Sequence, residues 1–521
     1  MCALLASLTA SLYSAPTVLD SELRIRNVLN TGNGSFRLVL NPQDGALYYL
    51  KVNGELYRVN LSAQPGASTS TRVYSSSDHG VSSAAGLEIG PDGTIYLTSN
   101  SARTNHTIST VTKGVRDPQT GARTWSILAE TVPWPGGGRI FNHRMNGIAL
   151  SPDGKSIFVN IGARTDHGEI QDDGGEFPGT REVGLTTILL RLPSHGANIL
   201  LPNDREQLGE LGYLYCEGLR NTYDLAFAAN GHLFGVENGP DRDMPEELNW
   251  LREGHHYGFP WRMGAEDNPQ QFPGYDPSRD RLLNSSYTAV DRGTYRNDPT
   301  FPPPPAPFTD PVINVGPHAD SIRDPQTGGV VNVSAYGRTI STFTAHRCPL
   351  GLSFDKRGAF SSKFHGDAFA VSWTPGQPSG SSDSGPFRDP SEDLLHLELT
   401  FVGTNYQLHA TRIAAGFSNP ADTAIIGNKL YVLENGGSEG LWEITFPAAP
   451  LVLLSNPTWN PNNLFELTLH GAPGSNYVLE TSANLPDWLL LTNFTATPTP
   501  SIFTDPAPPT NTHRYYRARP M

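Results

Sequence analysis

The chain has 521 residues, long enough for a large core and more than one domain. Its formal charge of −14 argues against nucleic acid or an anionic membrane face as partner, and no apolar run reaches the roughly 20 residues that cross a bilayer. With 37% apolar residues, 52 glycines, 44 prolines and little helical periodicity, the composition predicts many short strands joined by tight turns.

Residues 1–15 are apolar and small, ending in Tyr13-Ser14-Ala15 before Pro16. That is the pattern of a secretory signal lacking its positive start, so a secreted or periplasmic protein is expected. Cys2 would leave with the signal. Cys216 and Cys348 could then pair in an oxidising compartment or remain two buried thiols.

From about residue 23 to 446 one pattern recurs: a short apolar strand, a glycine-bearing turn, a second apolar strand. Copies span 39–50 around Asp44-Gly45, 86–98 around Asp92-Gly93, 147–159 around Asp153-Gly154, and 225–236 around Asn230-Gly231. Two more span 352–371, with turns near Gly358 and Gly366, and 424–434 around Gly427-Asn428. Asp-Gly and Asn-Gly tolerate positive φ and close two-residue hairpins. Six such units with long inserts predict an all-β, six-bladed β-propeller, whose loops crowd one face around a central channel. The largest insert, 262–344, carries the proline run 301–307, expected to be an extended surface spacer. After a Pro447-Ala448-Ala449-Pro450 linker, residues 451–521 alternate as strands near 464–469, 477–481, 488–492 and 515–519. They predict a small β-sandwich-like accessory domain with no catalytic cluster, suited to surface or glycan contact.

The stretch 218–261 concentrates the candidate chemistry. Arg220-Asn221 end one loop, and Glu237-Asn238-Gly239-Pro240 follow the next strand before an acidic run. A cation and an amide suit an anionic cofactor, and a Gly-Pro backbone offers carbonyl oxygens to a hard metal ion. An ordinary hairpin with a solvated acidic loop accounts for the same residues.

Three segments carry a family resemblance. Asn142-His143-Arg144-Met145-Asn146-Gly147 with Val159-Asn160-Ile161-Gly162 is one, and Gly218-Leu219-Arg220-Asn221 with Glu237-Asn238-Gly239-Pro240 and Tyr257-Gly258-Phe259-Pro260 is the second. The third is Ala345-His346-Arg347-Cys348-Pro349-Leu350-Gly351-Leu352 with Phe369-Ala370-Val371-Ser372-Trp373. In order, they resemble the glucose/sorbosone dehydrogenases, and the third is closer to the sorbosone branch. The resemblance implies a six-bladed propeller that oxidises sugars or related alcohols and aldehydes with pyrroloquinoline quinone (PQQ) and Ca²⁺, passing electrons to an external acceptor. It implies His143 as general base, Arg220 and Asn221 on the quinone, and the carbonyls of Gly239 and Pro240 on Ca²⁺.

Two departures stand out. Soluble glucose dehydrogenases have an aspartate after the glycine at position 162; here Ala163 stands there, and Asp166 is the nearest substitute. The last-blade stretch Gly416-Phe417-Ser418-Asn419-Pro420-Ala421-Asp422 lacks the family's quinone-binding arginines, a role that falls to Arg164, His346 and Arg347. Two other readings remain open. One is a metal-dependent propeller lactonase using Glu88, Asn146, Asn221 and Glu237, and the other a non-catalytic propeller that binds glycans or a protein.

Overall fold

The computed structural model describes residues 15–136, 141–305, 307–374, 386–437, 439–449, 452–462, 464–497, 499–505 and 513–521. The expected signal at 1–15 lies outside them except for Ala15. Two compact units form, one from residues up to Phe354 with Asp367–Thr445, the other from Asp355–Gly366 with Phe446–Met521.

Each of the six sequence hairpins becomes the two innermost strands of a blade. The inner strands are Ser35–Leu40, Ala84–Ile89, Met145–Leu150, Thr222–Phe227, Pro349–Phe354 and Pro420–Ile426. Each pairs antiparallel with the next strand in sequence. Neighbouring inner strands touch in that order, and the last returns to the first, which closes a six-bladed β-propeller. Blade 6 takes its outer strand from the N-terminal side, Arg24–Asn30 beside Gly440–Thr445, so the two ends of the propeller sequence lock the ring.

Apolar side chains from the blade strands wedge between neighbouring blades, and several second strands are buried on both faces. Ile148, Val159 and Leu190 pack toward blade 2 with Tyr96 and Val111, and Phe158 packs toward blade 4 with Leu225 and Leu251. Polar stitches fix the blade junctions nearer the axis. Glu88 accepts the Leu150 N–H at 3.4 Å, Asp224 the Leu352 N–H at 2.8 Å, and Asp422 the Leu38 N–H at 2.8 Å. These carboxylates come from blades 2, 4 and 6, so every second junction is tied the same way. Side chains would not fit everywhere on this inner ring: a Cβ at Gly147 would lie 2.9 Å from the Tyr223 carbonyl oxygen.

The 262–344 insert folds back on the propeller, and its Ile313–Pro317 adds parallel to Asn405–Ala415 of blade 5. The proline run is held at its start and exposed at 303–305. Trp261 Nε1 donates to the Pro302 carbonyl at 2.7 Å, and the Arg181 guanidinium sits 5.1 Å from the Phe301 ring centroid. The expected free spacer is therefore a packed strap at its leading end.

In the second unit, Leu453–Trp459, Phe465–His470 and Ser501–Thr504 form one three-stranded sheet, and Asn476–Ser482, Leu489–Thr495 and Tyr515–Pro520 another. Phe360 of the 355–366 segment stacks on Phe446 at 4.1 Å, which explains why that internal segment belongs to this unit. Among the described residues no helix is long and apolar enough to cross a membrane.

Candidate functional site

His143, Arg220-Asn221 and His346 each lie just before an inner strand, of blades 3, 4 and 5 respectively. Ala163 and Gly239-Pro240 lie just after the antiparallel second strands of blades 3 and 4. Strand direction therefore brings all of them to one mouth of the channel.

Backbone bonds join three of these segments. The His143 N–H donates to the Ala163 carbonyl at 2.8 Å, and the Ala163 N–H donates to the Arg220 carbonyl at 2.6 Å. Gly162 makes the approach possible, since a Cβ there would lie 2.7 Å from both the Arg220 oxygen and the His143 Cβ. The half-buried but closely surrounded His143 ring points Nδ1 at the Ala163 carbonyl, 3.2 Å away. A carbonyl can only accept, so Nδ1 carries the proton and Nε2 keeps its lone pair. Burial and then the Arg220 charge push the His143 pKa down to about 3, against a smaller opposing pull from Asp166.

Asp166 is fully buried. It accepts from His167 Nδ1 at 2.8 Å, Arg220 Nη2 at 2.9 Å, the Asp241 N–H at 3.0 Å and the Tyr295 hydroxyl at 3.1 Å. Burial opposes its ionisation, yet the His167 hydrogen bond and the Arg220 charge hold its pKa below the usual carboxylate range. Asp166, expected as the partner of His143, thus spends its oxygens on His167, Arg220 and Tyr295, and the Ala163 carbonyl takes the orienting place.

Arg220 is equally committed: Nε donates to the Asp166 carbonyl at 2.8 Å and Nη1 to the Asn238 carbonyl at 3.1 Å. Its own N–H bonds Glu237 Oε1. Asn221 sits inside an amide chain that crosses three blades. Asn146 Nδ2 donates to Asn221 at 2.9 Å, Asn221 to Asn238 at 2.9 Å, and Asn238 to the Pro349 carbonyl at 2.8 Å. This chain holds the Arg220 and Gly239 loops in register.

Beside it, the Gly239 N–H donates to Glu246 Oε1 at 3.3 Å, and Glu246 Oε2 accepts the Cys348 N–H at 2.7 Å. Burial raises the Glu246 pKa to about 7, although the His346 charge pulls it down. Among the described residues no hydrogen bond falls on the carbonyl oxygens of Gly239 or Pro240.

His346 donates Nε2–H to Asp243 at 2.8 Å and stacks on Tyr287 with ring centroids 4.1 Å apart. Arg323 Nε grips the other Asp243 oxygen at 2.5 Å. Arg347 is turned to a different task. Its guanidinium is fully buried against Asp393 at 2.6 Å and Asp389 at 3.2 Å, in a network shared with Arg412. Arg164 likewise clamps its own loop through Asp173 and the Pro135, Thr180, Arg181 and Gln171 carbonyls. Neither arginine joins the mouth, and each has a sufficient structural role. Cys216 and Cys348 are free thiols, which settles the alternative the sequence left open.

Residues 35–284 match the family model described as Glucose / Sorbosone dehydrogenase. That region is similar to the glucose/sorbosone dehydrogenase family. An 81-residue segment is 36% identical to quinoprotein glucose dehydrogenase B of Acinetobacter calcoaceticus, a match covering 15% of this chain and 16% of the relative's length. Among solved structures, the apo-form soluble aldose sugar dehydrogenase from Escherichia coli is similar at 15% identity over 81% of this chain and 99% of that one, with a TM-score of 0.48. The PQQ-bound form of aldose sugar dehydrogenase from Streptomyces coelicolor is similar at 17% identity over 83% and 99%, with a TM-score of 0.45.

The matched dehydrogenase region stops before several residues that complete the mouth. Tyr287, Tyr295, Arg323 and His346 all lie beyond residue 284, the first three in the insert. Sequence reasoning missed the insert residues because nothing periodic marks an isolated Tyr or Arg in a loop. The four residues of the lactonase reading have other partners. Glu88 ties a blade junction, Asn146 and Asn221 bond each other, and Glu237 holds the Arg220 loop from below. Among the described residues no group of three His, Cys, Asp or Glu side chains is placed to hold a metal.

Proposed function

We propose that the protein is a dehydrogenase that oxidises an alcohol or aldehyde group of a sugar or related compound, using a PQQ-type quinone with Ca²⁺ and an external electron acceptor. The observation that carries this reading is the convergence of a lone-pair imidazole, the Arg220 guanidinium and two uncommitted Gly-Pro carbonyls at one channel mouth of a domain similar to the glucose/sorbosone dehydrogenases.

The donor set suits a hard cation. Among the described residues the Gly239 and Pro240 carbonyl oxygens accept no hydrogen bond, and hard oxygen donors of this kind suit a divalent ion. That ion and Arg220 together supply the positive charge that the carboxylates of a quinone require. Bound there, the quinone supplies the two-electron acceptor that no side chain can provide.

This chain's own residues then orient and deprotonate. Gly162 and the Ala163 carbonyl fix the His143 ring by its Nδ1, which leaves Nε2 with the lone pair a base needs. The depressed pKa keeps that nitrogen unprotonated across the physiological range, although it also makes it a weak base. The amide chain from Asn146 to Pro349 holds the loops that carry Arg220 and Gly239. Residues 1–15 support export, and the C-terminal unit, which carries no site residue, is assigned an accessory contact role.

Reconstitution tests the proposal. Chelator-treated protein is loaded with PQQ and Ca²⁺ and assayed for dye reduction with aldoses, alcohols and aldehydes. Dye reduction that needs both additions is expected. Hydrolysis of lactones without PQQ, or activity with neither addition, would overturn it.

A further inference from the structure

We infer that Arg37 is a positioning residue for the cofactor site: it spans the channel from blade 1 just beneath the mouth and fixes the blade 4 strand that follows Arg220 and Asn221. The inference rests on the dehydrogenase reading above and deepens it.

The third residue of each inner strand occupies the same place in the ring, where pairing with the second strand shifts register in every blade. In blade order these residues are Arg37, Gly86, Gly147, Asp224, Gly351 and Asp422. The three glycines let the next inner strand close in, since a Cβ at each would meet that strand's backbone. The other three positions carry one guanidinium and two carboxyl groups, and these groups meet.

Arg37 is almost fully buried. It donates Nε–H to the Ala85 carbonyl at 2.9 Å and Nη2–H to the Tyr223 carbonyl at 2.8 Å. Its Nη1 lies 3.6 Å from Asp224 Oδ1, and its guanidinium carbon lies 4.0 Å from the Tyr223 ring centroid. In a ring of six, blade 4 stands opposite blade 1, so a side chain rooted in one and bonded to the other crosses the channel. Asp422 joins from blade 6. Burial and then the Asp224 charge raise its pKa, and the Arg37 charge opposes them. A planar guanidinium serves two carbonyls, a carboxylate and an aromatic face at once, which a flexible ammonium cannot do.

The effect reaches the mouth through the backbone. Tyr223 is two residues past Asn221 and three past Arg220. The amide chain from Asn146 to Pro349 holds Asn221 from its neighbouring blades, and Arg37 holds the same loop from beneath, at the Tyr223 carbonyl. Arg37 thus acts on the cofactor through Arg220 and Asn221.

The test has two arms on the full-length protein. The first, on apoprotein, follows arginine Nε–H signals by NMR. Arg37 and Arg220 are each expected to give a signal protected from exchange, and the Arg220 signal should shift in R37M and, less, in R37K. An Arg220 signal unmoved in both variants overturns the inference. The second arm titrates PQQ with Ca²⁺ present. R37M should weaken binding by about tenfold or more, since a small displacement of a positioning group is costly, and R37K by less. Added guanidinium ion should restore part of the binding in R37A, whereas methylammonium, a charge without the planar fork, should not. Wild-type affinity in R37M, or equal rescue by the two cations, would refute the inference. If R37M and R37A fail to fold, R37K decides by the same two readouts: a shifted Arg220 signal with weakened PQQ binding supports the role, and neither change overturns it. A wild type that takes up no PQQ while its Arg220 signal still follows Arg37 would instead fault the dehydrogenase reading, and the clamp would then be structural only.

Discussion

Arg220 grips Asp166 at two points, Nη2 on a carboxylate oxygen at 2.9 Å and Nε on the backbone carbonyl at 2.8 Å, with both side chains almost fully buried. Removing one member strands a buried charge, which costs about 3–5 kcal/mol. D166A should therefore lower the unfolding midpoint of the propeller sharply in thermal melts. Restoration by the isosteric D166N should be partial, because it keeps the shape but not the charge. A midpoint within experimental error of wild type would show that the pair is not sealed.

His143 makes a pH prediction with a definite sign. An unfolded histidine titrates near 6.5, and the folded one near 3. Between those values the unfolded chain binds the extra proton, so this group's contribution to stability is present above pH 6.5 and is lost as pH falls toward 3. The slope is at most about 1.4 kcal/mol per pH unit. The stability advantage of wild type over H143Q should shrink steadily from pH 6.5 downward in urea titrations. Parallel curves would mean that the ring is well hydrated.

Gly162→Ala places a methyl group 2.7 Å from the Arg220 oxygen and the His143 Cβ. Something must shift, at a cost of about 1–3 kcal/mol, and the shift separates His143 from the Ala163 carbonyl. Loss of dye reduction together with a lower melting temperature is expected. An unperturbed His143 ring signal in the NMR spectrum of G162A would contradict this.

Ca²⁺ should stabilise the chelator-treated protein through the Gly239 and Pro240 carbonyls. At a hundred times the dissociation constant, linkage predicts roughly 2.7 kcal/mol. Mg²⁺, smaller and reluctant to shed water, should do much less. Equal melting temperatures with Ca²⁺ and with chelator would remove the cation from the account.

The fold was legible because its signal is local and repeated. Asp44-Gly45, Asp92-Gly93, Asp153-Gly154 and Asn230-Gly231 each close a hairpin, and counting such hairpins gave the blade number. The site was legible only in part. His143, Arg220 and Gly239 could be found because short motifs carry them next to strands. Their partners could not, since Arg220 meets Asp166 across 54 residues and His346 meets Asp243 across 103. Sequence gives the type of Arg347 and Asp166, but only packing decides which carboxylate or cation each faces. That is why Arg347, expected at the cofactor, ties Asp393 instead, and why Tyr295 and Arg323 carried no signal at all.

The most direct measurement is a PQQ titration of chelator-treated full-length protein, followed by the visible spectrum with and without Ca²⁺ and repeated on R220A. The account predicts saturable one-to-one binding that requires Ca²⁺ and is weakened at least tenfold in R220A. Unsaturable uptake, or binding indifferent to both Ca²⁺ and Arg220, would contradict it.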